Sequence, residues 1–145
     1  MKTVKDFAVR LDNRPGALSE LSDLLGSNGI EILALTVRTE GPTGTINFVS
    51  TDPVRAVAIL EGAGYTVSTN EILAAECPQH PGGLAAILKP LKLEGVNVEY
   101  LYSCVGRHGA GDATVILLGI DNLQAAHDAL TGEWIRLYGE ELYNF

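Results

Sequence analysis

The chain is poor in cysteine and in positive charge, and it has no long hydrophobic run. Two cysteines in 145 residues make no disulfide framework. Ten Lys and Arg stand against 18 Asp and Glu, for a formal net charge of −8, and no two basic residues are adjacent. Such a surface repels phosphate backbones and anionic lipid, so nucleic acid and membranes are excluded as expected partners. No stretch approaches the length that spans a bilayer. Met1 to Asp6 lack the apolar core of a signal peptide, and the expectation is a soluble cytoplasmic protein. Aromatics are scarce at 6%, yet hydrophobic residues reach 46%, enough to build a core. The length suits one ordinary domain or two very small ones.

An internal repeat decides for two. Asn13-Arg14-Pro15-Gly16-Ala17-Leu18 recurs as Gln79-His80-Pro81-Gly82-Gly83-Leu84, displaced by 66 positions. The same displacement carries Leu21 onto Ile87, Gly29 onto Gly95, Ile30 onto Val96, Ile32 onto Val98 and Leu35 onto Leu101. The register then slips, matching Asp52 with Asp121 and Ala56 with Ala125. The expected domains are residues 1–69 and 70–145.

Each repeat reads as strand, helix, strand, strand, helix, strand. Phe7, Val9 and Leu11 alternate with Ala8 and Arg10 as in a half-buried strand. Pro15 suits the first position of a helix in which Leu18, Leu21 and Leu25 recur, and Asn28-Gly29 supplies a left-handed stop. Asp52-Pro53 opens a second helix and Asp121 opens its counterpart, while Trp134 to Tyr138 reads as the last strand. Pro90 falls inside a predicted helix and should kink or shorten it. The fold class is α+β: two ferredoxin-like βαββαβ units with antiparallel four-stranded sheets in the order 4-1-3-2.

The candidate site is the strand-to-helix turn Asp12-Asn13-Arg14-Pro15-Gly16. Unpaired N–H groups and the helix dipole suit a carboxylate or phosphate there. Gly16 has no side chain to hold a ligand off the backbone, and Asn13 can donate and accept, which suits a zwitterion. An ordinary helix start also uses these residue types.

Asn13-x-Pro15-Gly16-x-Leu18, followed by Gly29-Ile30-x-Ile32, resembles the opening of an ACT domain. Gly95-Val96-Asn97-Val98-Glu99-Tyr100-Leu101-Tyr102 resembles the same family's second strand. The resemblance covers nearly the whole chain as two copies. It implies a non-catalytic regulatory protein that binds a free amino acid between two domains and needs no cofactor. The loop of one domain, Leu11 to Leu18 with Ala17, would meet the strand start of another, where Asn97 stands. The reciprocal site, Gln79, His80, Pro81, Gly82 and Gly83 with Glu31, departs from the family pattern. Leu33, Leu101 and Tyr102 would line the gap beside Leu11.

Other chemistry is less well served. Cys77-x-x-His80 and Cys104-x-x-x-His108 have the ligand count of a zinc site. Their strands should be separated by another strand, about 9–10 Å, so buried thiols are the expected reading and no metal is expected. Gly106-x-x-Gly109-x-Gly111 has the wrong spacing for a phosphate loop and reads as a hairpin that could cover a ligand. Rival readings are a regulatory subunit of a separately encoded enzyme of amino-acid metabolism, a small ferredoxin-like enzyme using His80 with Cys77, and a structural dimerisation module. Either strands are exchanged between the repeats or sheet edges pair between two chains, and the expectation is a homodimer, on the reach of the linker. The strands flanking a linker between Val67 and Ile72 should lie roughly 29 Å apart if second strands pair within one chain. That linker spans only about 17 Å.

Overall fold

The computed structural model of the chain describes residues 1–108 and 114–144. Its elements are β1 (Val4–Asp12), α1 (Ala17–Ser27), β2 (Ile32–Glu40), β3 (Thr43–Ser50), α2 (Pro53–Gly62), β4 (Val67–Cys77), α3 (Gly83–Leu93), β5 (Val98–His108), β6 (Thr114–Ile120), α4 (Leu123–Gly132) and β7 (Leu137–Tyr138). A 3-10 turn, Glu140–Asn144, follows. They form two compact units, Lys5–Asn70 and Glu71–Phe145 joined by Met1–Val4.

In the unit Lys5–Asn70, β3 lies between β1 and β2, antiparallel to both, and β1 also pairs β4. Phe7, Val9 and Leu11 point to one face and pack with Ile46 and Phe48 against Ala17, Leu21 and Leu25 of α1 and Ala56 and Leu60 of α2. The period of two along strands and of about four along helices is what brings these residues to one side. Asp6 points to the opposite face and is fully buried. Its carboxylate accepts from Asn70 Nδ2 at 3.0 Å and Asn47 Nδ2 at 3.4 Å, which offsets part of its desolvation cost.

In the other unit the antiparallel order is β5-β6-β4-β7. Its core repeats the first one position by position. Ile87 and Leu91 stand 66 residues after Leu21 and Leu25, while Ala126 and Leu130 stand 70 residues after Ala56 and Leu60. The slip falls in the longer connection between β5 and β6, and it makes Ala126 rather than Ala125 the mate of Ala56.

Several sequence expectations are corrected. The second pair of helix caps is Asp52 and Asn122, whose side chains accept from Arg55 N and Ala125 N. Asp121 does not cap; its carboxylate accepts the Asn97 backbone N–H at 3.0 Å. Pro15 precedes the helix, whose N-cap is Gly16. β4 runs unbroken from Val67 to Cys77, so the linker expected after Val67 does not exist, and the linker-length argument for pairing between chains lapses with it. The described residues hold seven strands, β4 closing one repeat and opening the next, where two separate four-stranded sheets need eight. Pro90 leaves α3 at 11 residues, the length of α1.

Trp134 is a further departure. It is no strand residue but the left-handed residue after α4, with φ 61, at the position Gly64 holds after α2 with φ 93. It is also 95% exposed. A side chain there costs about 1–2 kcal/mol in backbone conformation, against about 0.4–1 kcal/mol for glycine's greater freedom when unfolded. Trp134→Gly is therefore expected to leave stability unchanged or raise it by up to about 1.6 kcal/mol. Urea titration followed by circular dichroism checks this, and a clear loss would show that the indole packs on something.

Candidate functional site

Both candidate loops start a helix in the same unusual way. Gly16 and Gly82 occupy the N-cap positions of α1 and α3 with φ 89 and 86, and no side chain caps either helix. That conformation disfavours any residue with a Cβ, and glycine carries no oxygen to offer the first turn. The loop satisfies the first N–H of each helix, Ala17 N donating to Arg14 O at 3.3 Å and Gly83 N to His80 O at 2.9 Å, and the N–H groups that follow have no side-chain cap, with the dipole behind them. α2 and α4, by contrast, are closed by Asp52 and Asn122.

The loop carboxamides have a structural task. Asn13 donates from its backbone N to Pro42 O and from Nδ2 to Gly41 O, both at 2.9 Å, and so ties the loop to the hairpin joining β2 and β3. Gln79 does the same job in the second repeat, donating to Thr114 Oγ1 at the start of β6. The next residue is also alike: Arg14 Nη1 donates to Pro15 O at 3.3 Å, and His80 Nδ1 lies 2.9 Å from Pro81 O.

Beyond that the repeats differ. Arg14 is gripped by Glu20, Nη2 to Oε2 at 2.9 Å and Nη1 to Oε1 at 3.3 Å, with Asp12 Oδ2 3.9 Å from Nε. The hydrogen bonds and charge of Arg14 hold the Glu20 carboxyl below the usual carboxylate range, and Glu20 raises the guanidinium in turn. Because the folded-state value of Glu20 is depressed, its contribution to stability is present at neutral pH and fades as pH falls through that value. In the second repeat Ala86 stands where Glu20 stands in the first. A cavity of about 140 Å³ adjoins the first loop, lined by Arg10, Leu11, Asp12, Arg14, Ala17, Glu20 and Tyr65.

Of the residues singled out in sequence, Leu11, Asp12, Arg14 and Ala17 share this cavity, while Asn13 faces the hairpin. Leu18 and Pro15 are exposed. Gln79, His80, Pro81, Gly82 and Gly83 gather at the start of α3. Glu31 and Asn97 lie just before β2 and β5, each exchanging hydrogen bonds with the start of the following helix segment. Glu31 pairs with Thr51 and Asn97 with Asp121. An 11-residue helix, about 16 Å long, separates loop from strand start in each repeat. Neither repeat brings its own loop and strand start together. Leu33 is fully buried, and Tyr102 is buried and stacked on Tyr100, ring centres 6.3 Å apart.

Sequence reading missed Glu20, Arg10, Tyr65 and the tethering partners Gly41, Pro42 and Thr114. A charge six residues after Arg14 carries no periodic signal, Arg10 reads as a polar position of the alternating first strand, and the others lie distant in sequence. Cys77 sits in the core of its unit, its thiol pushed up by burial, and β6 separates its strand from that of Cys104. Gly109 and Gly111 lie outside the described residues.

A family model described as an ACT domain pair matches residues 2–141. The fold is similar to that of protein BT0572 from Bacteroides thetaiotaomicron, TM-score 0.90 at 25% identity, over 99% of this chain and 98% of that one. It is also similar to the ligand-free regulatory subunit of aspartate kinase from Thermus thermophilus, TM-score 0.63 at 12% identity, over 92% and 94%. The corresponding subunit from Thermus flavus gives 0.58 at 14% identity, over 92% and 94%. The likeness to the two Thermus subunits is one of fold alone. No curated protein matches the chain in sequence.

Proposed function

This chain belongs to the ACT domain family as an ACT domain pair, and from that premise we propose that it is a non-catalytic regulatory protein that binds a free amino acid. One observation carries the reading: α1 and α3 begin uncapped behind left-handed glycines, while α2 and α4 are capped by side chains. An uncapped N-terminus of a long helix is the natural seat of a carboxylate. Because each repeat holds its loop and its strand start at opposite ends, a site using both Asn13 and Asn97 takes them from different repeats. Each repeat is then a ferredoxin-like unit sharing β4, and ligand binding biases how two such units are arranged. A cytoplasmic setting and a homodimer, the first repeat of one chain against the second of another, belong to the same proposal. Regulation of a separately encoded enzyme is a second form of it, favoured by the likeness to regulatory subunits of aspartate kinase.

The test is a thermal-shift panel of the twenty common amino acids on the full chain. A ligand at a hundred times its dissociation constant should add about 2.7 kcal/mol. Asn13→Ala should weaken the shift, and it should also cost about 1 kcal/mol of intrinsic stability, since the tether to Gly41 is lost. A panel in which no amino acid shifts the melting temperature overturns the reading. Light scattering decides the assembly: a ligand-competent monomer removes the dimer and leaves the amino-acid reading standing.

A further inference from the structure

We propose that the Arg14–Glu20 ion pair selects the ligand of the first repeat, which binds as a zwitterion by exchanging into the pair. The ligand carboxylate takes the Arg14 guanidinium and its ammonium takes the Glu20 carboxylate. This rests on the amino-acid reading above and names what that site discriminates.

Position comes first. Arg14 Nη1 lies 3.8 Å from where a Cβ of Gly16 would stand, so the guanidinium hangs over the uncapped start of α1. A cation beside the positive end of a helix dipole is poorly placed on its own. Glu20, in the first turn of α1, holds it there through two hydrogen bonds. The arrangement sets a cation and a carboxylate side by side at the start of α1, where the two charges of a zwitterion would dock.

Exchange is cheap because the pair is open to water. The Arg14 and Glu20 side chains are 48% and 59% exposed, and pairs of that kind add little net stability. The arithmetic of charge favours a zwitterion. The adjoining cavity carries Arg10 and Arg14 against Asp12 and Glu20, a neutral set. A zwitterion inserted into Arg14–Glu20 turns one ion pair into two. A simple carboxylate leaves Glu20 without its cation, and a simple amine leaves Arg14 without its anion. At about 140 Å³ the cavity exceeds the share of a single water, about 30 Å³, several-fold, room for a small polar head group.

The second repeat supplies an internal control. His80 stands for Arg14 and Ala86 for Glu20, so its loop repeats the glycine and the tether without the pair. Selection on the ammonium group is therefore a property of the first repeat.

Calorimetry on the full chain tests this with three probes: the tightest-binding amino acid of the panel, its N-acetyl derivative, which lacks the ammonium, and its carboxamide, which lacks the carboxylate. Wild type should prefer the amino acid to both derivatives by tenfold or more, about what one charge-assisted hydrogen bond supplies. Glu20→Gln should weaken the amino acid about tenfold and leave the N-acetyl derivative unchanged, erasing that preference. Arg14→Lys, which keeps the charge but loses the fork, should weaken the amino acid and the N-acetyl derivative alike. Both positions are exposed, so circular dichroism should report folded variants. Wild-type affinity and preference in Glu20→Gln would sink the inference while leaving the amino-acid reading in place. A wild type that binds no amino acid sinks both.

Discussion

Gly83→Ala should lower the unfolding free energy by roughly 2–3 kcal/mol, an unusually large loss for one added methyl group. A Cβ at Gly83 would lie 3.1 Å from the carbonyl carbon of Pro78 and closer still to its oxygen. Pro78 belongs to the loop leading into α3, and Gly83 N also donates to His80 O at 2.9 Å. Neither backbone segment can turn aside as a side chain would. The loop must open, and the stretch Gln79 to Gly82 with it. The first repeat provides the contrast, since Ala17 occupies the matching position and is buried without conflict. Ala17→Gly should cost only about 1 kcal/mol, the usual penalty for glycine in a helix. Urea titrations at constant slope measure both. A Gly83→Ala protein as stable as wild type would mean that the loop before α3 has room the structure does not show.

Phe48→Ala should cost about 3–5 kcal/mol, the largest loss expected from a single truncation. Phe48 is fully buried on β3, directly opposite Phe7 on β1 and Leu35 on β2. Its ring meets that of Phe7 edge to face, centres 5.5 Å apart and planes at 62°. That geometry adds about 0.5–1.5 kcal/mol beyond burial. Removal leaves a cavity under α1 and α2 in a unit of only 66 residues, Lys5–Asn70, which has little core to relax into it. A double-mutant cycle with Phe7→Leu isolates the ring–ring part. If the cycle shows no coupling, the aromatic contact contributes only its area.

Much of this architecture is local and periodic, and it was legible for that reason. Leu21 and Leu25 recur as Ile87 and Leu91 because each helix must bury the same stripe, and a stripe is visible in any one-dimensional string. The alternation of Phe7, Val9 and Leu11, and the glycines stopping α1 and α3 at φ 74 and 69, belong to the same class. Duplication made them more legible still, since each feature was written twice.

The rest depends on which groups meet in space. Whether Asp121 or Asn122 caps α4 turns on the Asn97 N–H, which stands just before β5 and claims the Asp121 carboxylate. Whether Asn13 faces a ligand or the chain turns on the hairpin carbonyl of Gly41, 28 residues away. The run from Val67 to Ile72 looked like a linker because Ser68, Thr69, Asn70 and Glu71 are polar. It is strand because Asn70 finds the buried carboxylate of Asp6 across the sheet. Chain sequence settled the repeat, the faces and the loop that opens each helix. Tertiary structure alone decided what those loops hold, because a hydrogen-bond partner is chosen by distance in the folded chain and not along it.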